Sequence, residues 1–405
     1  MPARRATALS RLAAVSSLLF VTAPPARAGD LAFDRIVIDA DFPNAYQVEV
    51  ADVNGDGKPD VVAVGGGTCA WYENPSWKKR VVTGPKQTPG IISSATRDLD
   101  GDGKAEIAVA YEFSMNDPTK GKLLLARQTG DGWACTPVAD VGSIHRLRWG
   151  TFVDPAQFKV TAGSVTIVKR PGLVVAPIFG TSAKPPLFQE EPAQIALYMP
   201  GPAPKLTPWE RYPGGTARVC HAIDVLDRKG DQIPPILAQL NPKILLASNA
   251  GVSIDGRIIV QGAPGEAPKK GCSEVHLGTL KNGDAFVTTV EPWHGTEVAV
   301  YFFGPLSRMG PRNVIDATLK DGHALWVADF DGDGDDEILA GYRGPGTSVL
   351  AFDFNGKTWD RTVVDDKIAA QDLRGGDLDS DGRPDAVAVG GSTKNVVWYR
   401  PKPKR

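Results

Sequence analysis

The stretch Asp52-Val-Asn-Gly-Asp-Gly-Lys-Pro-Asp60 decides the fold of this chain, because its pattern occurs four times. Oxygen-bearing side chains stand at positions one, three, five and nine, glycine stands at position six, and an apolar run follows. The other copies are Asp98-Leu-Asp-Gly-Asp-Gly-Lys-Ala-Glu106, Asp329-Phe-Asp-Gly-Asp-Gly-Asp-Asp-Glu337 and Asp377-Leu-Asp-Ser-Asp-Gly-Arg-Pro-Asp385. A tight polar loop before an apolar run is typical of a strand-loop-strand hairpin, so the sequence predicts one hairpin at each copy.

Three weaker copies of the loop raise the number of units to seven. They are Trp149–Asp154, Asp224–Asp227 and Thr279–Asp284. Repeats of roughly 50 residues, each built from several short strands, are typical of propeller blades. The sequence therefore predicts an all-β fold, a seven-bladed β-propeller, with insertions in blades three and four around residues 183–192 and 232–242.

The outer strand of a blade has a signature of its own, in which an aromatic residue precedes charged residues, arginine and apolar residues. The signature occurs at Trp77–Val82, Trp209–Tyr212 and Trp359–Val364. The last repeat stops at Arg400 without it, whereas Phe33-Asp-Arg-Ile-Val-Ile38 provides it near the N-terminus. We predict that this N-terminal strand completes blade seven, because a closed ring leaves no sheet edge open at the seam.

The first 28 residues are typical of a signal peptide. Arg4 and Arg5 precede the apolar segment Leu12–Val21, and Ala26-Arg-Ala28 is a small-residue cleavage site. Residues 29–405 are then expected to form a single propeller domain that is secreted or periplasmic. No later segment has the apolar length of a membrane helix, and a formal net charge of -2 argues against a nucleic-acid partner. We therefore expect neither membrane insertion nor nucleic-acid binding.

Four cysteines, Cys69, Cys135, Cys220 and Cys272, can pair in three ways. The alignment of the blades places Cys220 and Cys272 on neighbouring inner strands, so a disulfide between them is the first expectation. The alternative is that these residues are buried free thiols.

The four acidic loops have the ligands that Ca²⁺ accepts, namely hard oxygen atoms around a sharp glycine turn. The pattern resembles the FG-GAP or VCBS repeats of integrin-type propellers, which implies up to four structural calcium ions. A regulatory or catalytic ion and a turn that holds only water are the alternatives, and no ion is expected in the three weaker loops. The predicted ligands are Asp52, Asn54, Asp56, Asp60, Asp98, Asp100, Asp102, Glu106, Asp329, Asp331, Asp333, Glu337, Asp377, Asp379, Asp381 and Asp385.

All five histidines map to the face of the propeller opposite the acidic loops. Counted back from the first aspartate of each loop or its counterpart in the blade alignment, His145 and His323 fall six residues before it and His221 and His276 fall three before it. His294 lies in a loop of blade five. Imidazoles are common transition-metal ligands and acid-base groups. We predict that three or four of them converge at one mouth of the central channel. The alternative is a set of rim histidines bonded to backbone carbonyls.

Three segments resemble the propeller part of the aldos-2-ulose dehydratase family, which acts on anhydrofructose and related keto-sugars. They are Ile144–Trp149, Glu291–Gly295 and His323–Asp331. The resemblance implies elimination of water, or of another group, β to a carbonyl. That reaction needs a base for the α-proton, a cation to stabilise the enolate and an acid for the leaving oxygen.

The roles follow from this resemblance. His145 or His294 is expected to transfer protons, and Arg146 and Arg148 are expected to hold substrate oxygens or the developing enolate. Zn²⁺ or another divalent transition ion is expected on some of His221, His276, His294 and His323. Further substrate contacts are expected from Trp149, Glu274, Glu291, Asp372 and Arg374. The predicted function is a secreted carbon–oxygen lyase for a small sugar; the alternative is a non-catalytic, calcium-stabilised propeller that binds a glycan or a protein.

Overall fold

The computed structural model describes residues 31–130, 132–157, 159–161, 164–226, 243–304 and 308–403. Within these ranges it contains strands, turns and no helix. Seven four-stranded antiparallel sheets form the blades of a ring, and one small hairpin projects from blade three. The all-β, seven-bladed propeller predicted from the repeats is confirmed.

Each blade runs from an inner strand at the channel to an outer strand at the rim. The chain begins with β1 Phe33–Asp39. Blade one consists of β2 Ala45–Ala51, β3 Asp60–Gly65, β4 Thr68–Glu73 and β5 Lys78–Thr83. Blade two consists of β6 Ser93–Arg97, β7 Glu106–Tyr111, β8 Lys122–Thr129 and β9 Gly132–Asp140. Blade three has β10 Ile144–Val153, then the projecting hairpin β11 Lys159–Thr161 and β12 Ser164–Thr166, and then β13 Lys169–Pro177, β14 Ala193–Met199 and β15 Glu210–Ala217.

The remaining four blades have the same order of strands. Blade four consists of β16 Ala222–Leu226, β17 Lys243–Ser248, β18 Gly251–Ile254 and β19 Arg257–Val260. Blade five consists of β20 Glu274–Thr279, β21 Ala285–Glu291, β22 Glu297–Phe302 and β23 Asn313–Asp316. Blade six consists of β24 Gly322–Ala328, β25 Glu337–Tyr342, β26 Ser348–Phe354 and β27 Trp359–Asp365. Blade seven consists of β28 Ala370–Gly376, β29 Asp385–Gly390, β30 Asn395–Pro401 and β1.

The apolar run after each acidic loop forms the second strand of its blade and is buried on both faces. In blade one, Val61 and Ala63 pack against blade seven, whereas Val62 and Val64 pack against blade two. The side chains of a strand alternate between its two faces, so one continuous apolar run fills two interfaces. Each such valine contributes about 1.5–3 kcal/mol of burial free energy, and the core is a set of layers between blades.

The N-terminal strand closes the ring as predicted. β1 pairs antiparallel with β30, from Phe33 opposite Pro401 to Asp39 opposite Val396. Arg35 Nε donates to Asp365 Oδ2 over 2.6 Å, and that same oxygen accepts the hydroxyl of Tyr399 over 2.8 Å. The first strand is therefore joined both to the last strand of the chain and to blade six.

Two of the weaker loop copies do not correspond to loops. Trp149 and Asp224 lie inside the inner strands β10 and β16, whereas Thr279–Asp284 does connect β20 to β21.

The Pro-rich insertion at residues 183–192 lies between β13 and β14, as expected. The predicted signal peptide and the insertion at residues 232–242 lie outside the described residues. The described part of the chain contains no helix that could span a membrane.

The expected disulfide is wrong for this structure, in which all four cysteines are free thiols. Cys220 and Cys272 are both fully buried. The Cys272 thiol donates to Glu291 Oε1 over 3.4 Å, and burial raises the pKa of Cys220 to about 12. The alternative of buried thiols is the arrangement found.

Candidate functional site

The inner strands place their first residues at one mouth of the central channel. Each of them begins at the face opposite the acidic loops and ends at those loops. A strand rises about 3.3 Å per residue, so the position of a residue along its inner strand sets its depth in the channel.

Four of the five histidines converge at this mouth, although they come from four different blades. The ring centroid of His221 lies 5.0 Å from that of His145 and 4.8 Å from those of both His294 and His323. The rings of His294 and His323 are 5.0 Å apart. His276 lies outside this group, since its Nδ1 is 3.1 Å from Asp224 Oδ2.

Three of these imidazoles have the spacing of metal ligands. Ligand nitrogens of His221, His294 and His323 all lie within 4.8 Å of one another, and the Nε2 atoms of His221 and His294 are 3.0 Å apart. Two nitrogens bound at 2.0–2.1 Å to one divalent ion lie about 2.9–3.4 Å apart in octahedral or tetrahedral geometry. We therefore call His221, His294 and His323 the triad, and their geometry fits a divalent transition ion.

The backbone around the triad fixes which ring nitrogen faces the centre. His323 Nδ1 lies 2.6 Å from the carbonyl oxygen of Gln371, and His221 Nδ1 lies 3.0 Å from that of Ser273. A carbonyl accepts only, so both Nδ1 atoms donate and both Nε2 lone pairs are left for a ligand. His323 Nε2 is buried and has no hydrogen-bond partner among the described residues, as expected of an atom directed at a bound group.

The surroundings of all four clustered imidazoles favour their neutral form. Burial lowers the pKa of each histidine far below its usual value, the positive charge of Arg146 lowers all four pKa values further, and that of Arg343 also lowers those of His221, His294 and His323. A metal binds the neutral form of imidazole, and a general base must also start in that form. The local electrostatics therefore suit both functions.

His294 is held by a clamp from blade six that consists of Asp321 and Arg343. Arg343 Nε donates to Asp321 Oδ2 over 2.8 Å, and its Nη2 lies 3.1 Å from His294 Nδ1. Asp321 Oδ1 is 3.5 Å from that same Nδ1 atom. The ring can thus accept from Arg343 or donate to Asp321, and the second arrangement leaves Nε2 free to bind a metal.

Beside the triad, Tyr46 and His145 form a hydrogen-bonded pair. Tyr46 Oη lies 3.1 Å from His145 Nε2, and the guanidinium carbon of Arg146 lies 5.4 Å from the Tyr46 ring centroid. Burial raises the pKa of Tyr46, so this residue keeps its proton. Among the described residues, His145 Nδ1 and Arg146 Nη1 have no hydrogen-bond partner despite being buried. These atoms are available to a bound molecule.

Below the mouth, a belt of three arginines and three carboxylates surrounds the channel. Burial raises the pKa of each of these carboxyl groups to about 7, against the opposing effect of the arginines. The closest charge pairs are Arg146 with Glu274 at 3.6 Å, Arg148 with Glu49 at 3.5 Å, and Arg374 with Asp372 at 3.0 Å.

The predicted substrate residues are divided between several places. Glu274 contacts the mouth through His221 Nδ1, at 3.0 Å, whereas Trp149, Arg148 and Arg374 line a deeper cavity. Glu291 is fully buried inside blade five. Its carboxylate accepts hydrogen bonds from Thr289 Oγ1 at 2.7 Å, Tyr301 Oη at 2.7 Å and Arg312 Nε at 2.7 Å.

On the opposite face, the acidic loops bring carboxylates together. In the first loop, Asp52 accepts hydrogen bonds from the amides of Gly55 and Gly57, each over 2.8 Å, and Gly57 has a left-handed φ of 83°. Burial and the neighbouring Asp331 carboxylate raise the pKa of Glu337 to about 10. Carboxylate oxygens within 4.8 Å of one another occur in three groups, Asp98 with Asp100 and Glu106, Asp329 with Asp331, Asp333 and Glu337, and Asp377 with Asp379 and Asp385. The oxygen-only donor set fits a hard divalent cation such as Ca²⁺.

Residues 29–109 match the FG-GAP-like repeat family. This match covers blade one and the start of blade two, including the first two acidic loops of the chain. The FG-GAP-like loops and the histidine mouth thus lie at opposite ends of the inner strands. None of the curated proteins compared with the chain matches it.

The fold is also similar to that of a solved structure of BBS1N in complex with ARL6DN, soaked with mercury. The TM-score is 0.51 at 11% sequence identity, over 92% of this chain and 98% of that chain. At this identity the likeness shows the fold alone. The resemblance to the aldos-2-ulose dehydratase family stays a prediction.

Sequence reasoning missed four residues of the mouth, and for two of them a signal existed. Tyr46 and Gln371 stand six residues before the first aspartate of their acidic loops, which is the offset that identified His323. Asp321 and Arg343 flank the first two strands of blade six, and neither belongs to a recognisable motif. The repeat register, applied to every residue type, would have found the first two.

Proposed function

We propose that this protein is a metal-dependent carbon–oxygen lyase that eliminates water, or another β-substituent, from a keto-sugar or anhydro-sugar such as anhydrofructose. The observation that carries the proposal is the convergence of the triad beside the Tyr46–His145 pair. One group of side chains suits a divalent ion, and the other suits proton transfer. Both are needed for β-elimination next to a carbonyl.

His221, His294 and His323 would hold the ion, Zn²⁺ or another divalent transition metal. When bound, the ion supplies Lewis-acid stabilisation of the negative charge that develops on the substrate carbonyl oxygen. Arg146 lies under the Tyr46 ring and has a free buried nitrogen, so it can bind a second substrate oxygen.

The Tyr46–His145 pair accounts for both protons of the reaction. His145 Nδ1, which has no hydrogen-bond partner among the described residues, takes the α-proton of the substrate, and Tyr46 Oη gives its own proton to the leaving hydroxyl, which departs as water. The proton on His145 Nε2 then passes to Tyr46 Oη over the 3.1 Å that separates them. The substrate loses one molecule of water and becomes a conjugated enone, and both residues are neutral again.

We further propose Ca²⁺ as the ion of the four acidic loops, in the role of a structural staple. Repetition of nearly identical ligand sets around the ring supports a structural role, because each loop joins an inner strand to the second strand of its blade. Residues 1–28 support export, which makes a small sugar outside the cytoplasm the proposed partner.

The test of the lyase combines metal analysis with a product assay. The purified protein is incubated with 1,5-anhydrofructose and with 3-keto-glycosides while the absorbance of a conjugated enone is followed. We expect a bound transition ion and product formation, with both lost in His323→Ala and both kept in the outer-strand variant Asp360→Asn. A protein without a transition ion that forms no enone would instead support the glycan- or protein-binding alternative.

A further inference from the structure

A second cavity lies on the channel axis, deeper than the histidine mouth. Its volume is about 260 Å³, and inner strands from six of the seven blades line it. Asp224 lies three residues beyond His221 along the chain, which corresponds to a depth of roughly 10 Å. The lining residues that matter here are Glu49, Arg148, Trp149, Asp224, Trp326 and Arg374.

The charged groups of this cavity balance one another. Among the residues that line it, Arg148 and Arg374 carry guanidinium groups and Glu49 and Asp224 carry carboxyl groups, so two basic groups face two acidic groups. A cavity with a strong excess of either sign would favour a counter-ion, whereas a balanced set of donors and acceptors favours a neutral polar molecule.

Arg148 has a donor that the protein does not use. Its Nη1 donates to the carbonyl of Leu147 over 2.7 Å, which fixes the guanidinium, but its Nη2 is buried and has no hydrogen-bond partner among the described residues. Arg374 is fixed in the same way, since its Nη1 donates to the carbonyl of Leu373 over 2.6 Å. A buried donor without a partner is rare in a native protein and indicates a group that a ligand satisfies.

Two tryptophan side chains line the same cavity. Trp149 Nε1 donates to the carbonyl of Ala95 over 3.0 Å, which fixes that ring in blade three. Trp326 belongs to blade six, and a Cβ atom at residue 375 would lie 2.2 Å from its Nε1, so Gly375 is the residue that lets the indole lie there. Aromatic faces combined with hydroxyl-binding donors and acceptors are what a pyranose ring needs.

We propose that this cavity is a second binding site, specific for a neutral sugar of monosaccharide size, and that it functions without a transition metal. The inference does not depend on the elimination reaction, because none of the triad residues lines the cavity. The channel would then bind sugar at two depths, at the mouth and at the level of the charged belt.

The test is a titration of the calcium-loaded protein with D-glucose, D-mannose and D-galactose in turn, followed by tryptophan fluorescence and calorimetry. We expect saturable binding of at least one of these sugars, retained in His323→Ala. We expect binding to weaken by about tenfold or more in Arg148→Met, because a hydrogen bond from a charged group is lost. Trp326→Phe provides a second variant should Arg148→Met fold poorly, and Trp359→Phe, on an outer strand, is the control that keeps both binding and fold.

Three results would overturn the inference. The first is binding lost in His323→Ala but kept in Arg148→Met, which would assign the sugar to the mouth. The second is binding of D-gluconate in preference to every neutral sugar, which would make the site one for anions. The third is the absence of saturable binding. Because His323→Ala removes the proposed lyase without touching the cavity, failure of one proposal is distinguishable from failure of the other.

Discussion

Tyr46 Oη lies 3.1 Å from His145 Nε2, although 99 residues separate the two along the chain. Tyr46 is the second residue of the inner strand of blade one and His145 is the second residue of that of blade three, so the radial arrangement of the blades is what brings them together. A phenol and an imidazole in hydrogen-bond contact can exchange a proton without any movement of the backbone.

The first prediction concerns this pair. Tyr46→Phe removes the hydroxyl but keeps the ring that contacts His323 and Arg146, so we expect the fold and the metal content to be unchanged. Turnover should fall by about 10²–10³-fold, the usual contribution of a positioned acid-base group. Steady-state assays on anhydrofructose measure the effect, with Tyr212→Phe on an exposed outer strand as the matched control. Full activity of Tyr46→Phe would exclude the proton path described above.

The second prediction concerns the clamp on His294. For His294 Nε2 to bind a metal, Nδ1 must carry the proton and donate to Asp321 Oδ1, so Asp321→Asn should reduce affinity for Zn²⁺ by about 10–100-fold. Competition with a chromophoric chelator measures the affinity directly, and Asp366→Asn in an exposed turn is the control. Equal affinities in these two variants would mean that Asp321 does not position His294.

The third prediction is that stabilisation by Ca²⁺ increases with pH. Without the ion, the pKa of Glu337 is raised to about 10, so Glu337 favours the folded state most below about pH 4.5, and this contribution is lost as the pH rises through 10. Calcium binds the deprotonated carboxylate and releases the proton, so its affinity rises over that same range. The increase in melting temperature on adding Ca²⁺ should therefore be larger at pH 8 than at pH 5.5, and smaller in Glu337→Gln. A calcium effect independent of pH would argue against Glu337 as a ligand.

The fourth prediction concerns the closure of the ring. Asp365 is buried and accepts hydrogen bonds from Arg35 and Tyr399, so Asp365→Ala leaves the buried Tyr399 hydroxyl without a partner. We expect a loss of about 1–3 kcal/mol in the free energy of unfolding, the cost of a buried unsatisfied polar group. Urea unfolding measures it, and Asp366→Asn should leave the free energy within experimental error. A neutral Asp365→Ala would show that pairing of β1 with β30 suffices.

Local patterns account for the parts of the fold that the sequence predicts. The loop after Asp377 and the outer-strand motif at Phe33 are each recognisable within ten residues, so the number of blades and the closure both follow. The alignment of blade four is wrong because no acidic loop marks the register there. Asp224, which was aligned with a loop, lies within a strand. His221 and His276 were each placed three residues before a loop, yet His221 is at the mouth and His276 is deeper.

The histidine mouth was predictable as a group but not in its detail. Offsets along the inner strands indicate that His145 and His323 share one depth. In the structure, the ring of Tyr46 lies beside both of these histidines. The contribution of Arg343 was not predictable, since a long side chain reaching from one blade toward a loop of another leaves no periodic trace. The same holds for Glu291, whose segment resembles the aldos-2-ulose dehydratase family but whose carboxylate accepts hydrogen bonds from residues within blade five.

The pairing of β1 with β30 also constrains biosynthesis. Residues 33–39 are synthesised before every other described strand of the propeller, and their partner at residues 395–401 is synthesised after the others, so the first strand must wait unpaired while the rest of the ring is made. A circular permutant that places new ends in a loop between two blades would make every sheet from contiguous segments. Such a permutant should assemble faster than the natural order of strands, with the same blades in the same ring.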